Sequence, residues 1–413
     1  MTDLDQILEG EERLDVLMAR QPIYSKSQDI VAFELLFRGQ SGEDLSAIKD
    51  EEATFDVVVN TYANIVADGG KKFLPCYLKV TDEVLLAGTL PELPPALFSL
   101  EILGRSSISP EFVSKVREFA AKGYRIVLAD YNPDDPKFEP LLNVIHVIKL
   151  DIQLLGLGAL PGIIQKLRPY QLDLLADKVE TKEEFRQCLE MGFSLYQGYF
   201  LSRPEPVKGK KISGSKIILL QLLAELNNEQ ATGASLEQIA INDAALTYKI
   251  LRVVNSAAFA VPKEIGSLSH AITLLGMEQI RRWIMLFLTT AADGRPNELT
   301  RTMLVRGRMC ELLAEINGYP NGMNYFIVGL LSQLDAMLDI EMAELMTEVP
   351  LSGEIKNALL HYTGTLGDVL SDVEHYERGQ FEELSRGIDR AFYEVAYRHS
   401  LKWADQVMSA LLN

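Results

Sequence analysis

Eight polar residues stand at or just beyond the ends of apolar runs in the first half of this chain: Glu34, Lys79, Glu101, Asp130, Lys149, Asp151, Asp177 and Gln197. Carboxylates of this kind either coordinate a hard cation or pair with an ammonium group, because burying one alone is costly. Glu34 poses the question most sharply. It interrupts the apolar run Ile30 to Phe37 and so requires a partner; the plain structural reading is an ion pair at a strand end. No serine or cysteine nucleophile motif and no phosphate-cradling glycine loop accompany these residues. The five histidines, His146, His270, His361, His375 and His399, form no ligand set by their spacing.

The elements that must carry these residues are legible from hydrophobic period. Val16 to Ile23 and Ile30 to Phe37 are rich in β-branched and aromatic residues and flank a polar turn, which predicts a hairpin. Six further strand-like runs follow: Pro75 to Val80, Ala96 to Ile102, Tyr124 to Ala129, Val144 to Leu150, Leu172 to Asp177 and Ser194 to Leu201. Helical periods cover Glu51 to Ala67, Pro110 to Lys122 and Lys182 to Met191. Such alternation implies a mainly parallel sheet, and roughly eight strands in ~200 residues predict a closed TIM-like (β/α)8 barrel. Barrel enzymes place their chemistry at the C-terminal strand ends, which is where the polar residues fall.

The segments QPI (Gln21 to Ile23), ELLFR (Glu34 to Arg38), IKLD (Ile148 to Asp151), KVET (Lys178 to Thr181) and YQGYFLSRP (Tyr196 to Pro204) resemble, in order and spacing, the EAL domain. That family comprises barrel phosphodiesterases that linearise cyclic di-GMP with two divalent metals. The resemblance implies ligand-binding roles for Gln21, Glu34, Leu36, Arg38, Lys149, Asp151 and Gln197, with Arg38 on a ligand phosphate. It also marks the metal positions as Glu34, Lys79, Glu101, Ala129, Asp130 and Asp177, and at several of these the pattern breaks. Lys79 replaces a metal-binding asparagine, and an ammonium group has no lone pair to offer a cation. Ala129 replaces the first of two paired aspartates and leaves Asp130, while Asp177 replaces a glutamate. Gly104 stands where a loop-supporting glutamate is expected. The expectation is a lost Mg²⁺ or Mn²⁺ site, Lys79 pairing with Glu34 or Glu101, and no hydrolysis. Cyclic di-GMP binding without metal is one reading, and a barrel kept as a protein-binding scaffold is the other. An active phosphodiesterase is the alternative.

Pro204 to Lys216 combines Pro, Gly, Ser and lysines and marks a boundary, giving a barrel over 1–204, a linker over 205–216 and a helical domain over 217–413. Beyond Ser215 the period is helical throughout. A capping box at Ser235 to Gln238 predicts a short helix, and Asp243 is expected to cap another. Helices are predicted on either side of Gly276 and over Glu298 to Ile316, Tyr325 to Leu338, Glu354 to His361, Leu366 to Glu377 and Phe392 to Leu412. LTYKILRVVNSAAF (Leu246 to Phe259), SLSHAITLLG (Ser267 to Gly276) and FIVGLLSQLD (Phe326 to Asp335) resemble the HDOD domain, which looks like an HD phosphohydrolase without its metal ligands. An active HD site needs a His-Asp pair where this chain has Ser332 and Gln333. The resemblance implies an all-α bundle that binds protein partners. A tryptophan-arginine patch at Arg281, Arg282 and Trp283 is read as a core tryptophan beside surface arginines.

With 58 acidic and 40 basic residues the net charge is −18, which disfavours nucleic acid and anionic membrane surfaces as partners. No apolar run reaches the ~20 residues that cross a bilayer. The acidic start lacks a secretory signal, and the three cysteines, Cys76, Cys188 and Cys310, show no paired spacing. A cytoplasmic, non-catalytic regulator is therefore the expected whole.

Overall fold

A computed structural model describes residues 16–39, 74–88, 90, 93–103, 108–202, 221–222, 225, 231–240, 267–277, 279–280, 282, 284, 297–338, 340–349, 351–385 and 387–412. The predicted helices at 51–67 and after Asp243, the linker 205–216, Gly104, Arg281 and Trp283 lie outside these residues. The chain divides into two compact units. One comprises Leu14–Arg203 with Tyr376–Glu382; the other comprises Met1–Arg13, Pro204–His375 and Glu383–Asn413.

The first unit is a closed eight-stranded barrel in sequence order. Its strands are β1 (Val16–Ser25), β2 (Ile30–Gly39), β3 (Cys76–Val80), β4 (Phe98–Leu103), β5 (Arg125–Ala129), β6 (Val147–Asp151), β7 (Asp173–Asp177) and β8 (Leu195–Gln197). β1 runs antiparallel to both its neighbours and the remaining pairs are parallel. The barrel thus opens with the hairpin that the sequence predicts, closed by a turn in which Gln28 takes a left-handed conformation. β8 stops at Gln197 rather than Leu201, because Gly198 turns the chain at φ 142° and a 3-10 turn, Phe200–Ser202, follows.

Period-2 alternation divides the barrel interior into layers. Ile23, Ala32, Tyr77, Val127, Val147 and Leu175 form an apolar floor. Two residues further along β2, β3, β5, β6 and β7, on the same inward face, stand Glu34, Lys79, Ala129, Lys149 and Asp177, and Gln21 joins them two residues earlier in the antiparallel β1. The outward faces pack against helices α1 (Asp82–Ala87), α2 (Pro110–Ala121), α3 (Leu160–Leu167) and α4 (Lys182–Met191). Ser109 and Thr181 cap α2 and α4, the latter in a reciprocal box with Glu184.

The second unit is helical in its described residues. α5 (Asn297–Ile316) packs on α6 (Gly322–Leu331) and α8 (Arg390–Leu412), with α7 (Gly364–Glu377) between them in sequence. Gly329 permits the close α5–α6 crossing, since a Cβ there would lie 2.5 Å from the Arg306 carbonyl oxygen. The stretch predicted as one helix over Tyr325 to Leu338 breaks at Ser332 and Gln333, where the Ser332 hydroxyl donates back to the Gly329 carbonyl. The helix predicted to open at Ser235 begins earlier, at Gly233; Thr232 and Ser235 exchange reciprocal backbone-to-hydroxyl hydrogen bonds. Among the described residues no helix is long and apolar enough to cross a membrane.

Candidate functional site

The inward layer above the apolar floor brings the sequence-predicted residues together around Glu34. Its carboxylate is 1% exposed, and three groups hold it. The Lys149 ammonium lies 2.5 Å from Oε2, Lys79 Nζ lies 2.6 Å from Oε1, and the Gln197 amide donates to Oε2 at 2.6 Å. Gln197 also donates to the Gln21 side-chain oxygen at 2.9 Å. The partner that Glu34 requires is therefore a pair of lysines, with Lys149 almost fully buried and the Lys79 side chain 37% exposed. Glu101 stands beside them, completely buried, 3.8 Å from Lys149 and 4.0 Å from Lys79, and among the described residues neither of its oxygens receives a hydrogen bond. Asp177 completes the group at 3.7 Å from Lys149.

The charges explain the proton affinities. Two ammonium groups balance two of three carboxylates, and Glu101 is the one left over. Burial would raise Glu34, but Lys149 and Lys79 outweigh it and hold that carboxyl well below the usual range. Burial, reinforced by Glu34, pushes Glu101 up to about 7. Burial also raises Asp177. Burial opposes the charge on both lysines, but the carboxylates prevail and raise them above an ordinary lysine.

A second ring of polar groups surrounds this centre. Asp151 ends β6 and accepts from the backbone amides of Gln153 and Leu154, while Lys178 Nζ reaches it at 2.6 Å. Lys178 sits at φ 57°, its amide donating to Asp177 Oδ1. Sequence reasoning quoted Lys178 within KVET without assigning it to the site; its place directly after the strand-end Asp177 was the available signal. Asp130 is exposed beyond β5 at φ 52°, and Ala129 is buried in the position before it. Leu36 is half-buried on the inward face, one step beyond Glu34. The backbone of Arg38 pairs with Leu17, and its side chain lies outside the described residues. Gly198 is required where β8 ends, because a Cβ would lie 2.2 Å from the Val179 carbonyl oxygen.

In the helical unit the positions matched to an HD pair are occupied by other chemistry. Arg306 donates to Ser332 Oγ at 3.1 Å and to Glu374 at 2.8 Å, and the Tyr362 hydroxyl meets Glu374 at 3.3 Å. Gln333 is buried, and burial pushes Asp335 up to about 6. Arg282 pairs with Glu311 and lies 4.8 Å over the Phe326 ring, so it is partly buried in the core. His146 is structural, its Nδ1 accepting from the Ile126 amide, and His270 is exposed in the first turn of a helix capped by Ser267. Among the described residues no three His, Cys, Asp or Glu side chains are arranged to hold a metal ion.

Comparison with known proteins places these features. The HDOD domain family matches residues 216–350. YuxH of Bacillus subtilis, an uncharacterized protein, is 31% identical over 407 residues, covering 96% of this chain and 99% of YuxH. The cyclic di-GMP phosphodiesterase CdgJ of Vibrio cholerae is 27% identical over 385 residues, covering 92% of this chain and 88% of CdgJ. Among solved structures, the EAL enzyme Bd1971 in its cAMP and cyclic di-GMP bound form aligns with a TM-score of 0.40 at 14% identity, over 48% of this chain and 64% of that one. The chain belongs to the same family as YuxH and carries an HDOD domain over residues 216–350, behind a barrel whose sequence segments resemble the EAL domain.

Proposed function

We propose that this protein is a non-catalytic regulator in cyclic di-GMP signalling, whose barrel binds the nucleotide without metal and whose HDOD domain engages protein partners. One observation carries the reading: both oxygens of Glu34 are held by ammonium groups, at 2.5 and 2.6 Å. A divalent pair needs oxygen ligands that are free to face it, and Lys79 supplies a positive charge where such a ligand would stand. The donor set does not fit two metals, because Lys79 repels a cation and Ala129 has no oxygen to give.

Phosphate binding remains within reach of these residues. Lys79 is half-exposed toward the mouth and Lys178 is exposed on its rim, and the resemblance to the EAL domain adds Arg38 as a phosphate contact. Each is a cation of the kind that holds a phosphodiester. The 27% identity to CdgJ supports cyclic di-GMP as the ligand, and by that relative's name it also favours the competing reading, an active phosphodiesterase. Incubation with cyclic di-GMP and Mg²⁺ or Mn²⁺, followed by chromatography of the nucleotide, separates the two. Intact nucleotide together with saturable binding supports the receptor; linear dinucleotide formed at a rate that scales with enzyme overturns it. The protein-binding role of the HDOD domain is tested by pull-down with the full chain: a partner captured reproducibly and bound saturably by the purified protein supports it, and capture of none contradicts it.

A further inference from the structure

The barrel unit contains a segment far from the rest of it in sequence, Tyr376–Glu382. Its place follows from an open edge. Among the described residues β8 pairs with Ile23, Tyr24 and Ser25 of β1, so there the start of β1 has a strand neighbour on one side, β2. Unpaired strand polar groups are costly when buried, and Met18 is 3% exposed. The Tyr376 hydroxyl answers both groups: it accepts from the Met18 amide at 3.3 Å and donates to the Met18 carbonyl at 2.9 Å. Tyr376 is fully buried, with the Phe381 ring edge-on at 5.0 Å.

The same segment reaches the flanks of the ligand mouth. Gly379, at φ 69°, lies against Leu36, where a Cβ would come within 2.9 Å of the leucine Cδ1. Leu36 is on the inward face one step beyond Glu34. The Arg378 guanidinium lies 5.3 Å from the centre of the Tyr199 ring, two positions past Gln197. Residues 376–382 thus touch the β1–β2 arm on one flank of the site and the exit of β8 on the other.

We infer that Tyr376–Glu382 forms a wall of the cyclic di-GMP mouth and that Tyr376 is a positioning residue, fixing the arm that carries Leu36 beside the ligand. This rests on the receptor reading above. The test is calorimetric titration of the full chain with cyclic di-GMP for wild type, Y376F and Y393F, joined to hydrogen exchange of peptides covering 33–39 and 376–382. Y393F removes a comparable buried hydroxyl, which donates to Asp372 at 2.5 Å in the other unit. It therefore controls for general loss of stability. The expected result is affinity weakened about fivefold or more in Y376F and unchanged in Y393F, as the loss of one hydrogen-bonded anchor implies. Ligand should also slow exchange in 376–382 in wild type. Equal affinity in wild type and Y376F, or no ligand effect on 376–382, overturns the wall and leaves the receptor standing. Absence of binding by wild type overturns both.

Discussion

Replacing Glu101 with glutamine should make the barrel more stable at high pH and change it little at low pH. Glu101 is completely buried, carries no hydrogen bond among the described residues and is raised by burial and by Glu34 from 4.5 to about 7. The folded barrel keeps this proton up to about pH 7, whereas the unfolded chain releases it near 4.5. Between those values the folded state binds more protons, so its stability falls as pH rises; above the interval the loss is complete. At 1.36 kcal/mol per pKa unit the full interval corresponds to about 3 kcal/mol, and relaxation of the site brings the expected gain for E101Q to about 1–3 kcal/mol at pH 8. Both tryptophans lie beyond the barrel, at Trp283 and Trp403, so the assay is hydrogen exchange of a peptide covering β4, corrected for intrinsic rates, at pH 5 to 8. Equal destabilisation of E101Q at every pH would refute the reasoning, because it would show an ionised Glu101 used as an acceptor.

Further outcomes follow from the same geometry. K149M removes the buried cation that Glu34, Glu101 and Asp177 share and should cost about 3–5 kcal/mol. K79M, at a half-exposed position where Lys149 and Gln197 still hold Glu34, should cost about 1 kcal/mol or less. Exchange of the same β4 peptide ranks the two; equal losses would contradict the assignment of Lys149 as the principal partner. In the helical unit R306M removes the guanidinium that pairs with the buried Glu374, and a loss of about 3–5 kcal/mol is expected by tryptophan fluorescence in urea. An unchanged transition would show that the pair contributes nothing net.

The barrel was legible because its signals are local. Apolar runs ending in polar residues gave seven of eight strand positions to within a few residues, and the same period-2 pattern placed Glu34, Lys79, Lys149 and Asp177 on one inward face. The need of Glu34 for a partner was also readable, but the sequence pointed to Lys79, whereas the more buried contact is Lys149. Both lysines satisfy the same electrostatic demand, and only the register of strands far apart in sequence ranks them. α1 and α3 were not predicted; each is short, and α3 carries Pro161 and Gly162 in its first turn, residues that read as a turn. Tyr376 was invisible for a different reason. Its bond to Met18 spans 358 positions, and nothing in the local composition of either residue announces it.

The central claim is that the barrel binds cyclic di-GMP through its own cations, without metal. The most direct measurement is calorimetric titration of the full chain with cyclic di-GMP, with and without Mg²⁺, using R38A as the control. Saturable binding of the same strength in both buffers, lost in R38A, is the predicted result. Binding that appears only with Mg²⁺, accompanied by cleavage of the nucleotide, would contradict it.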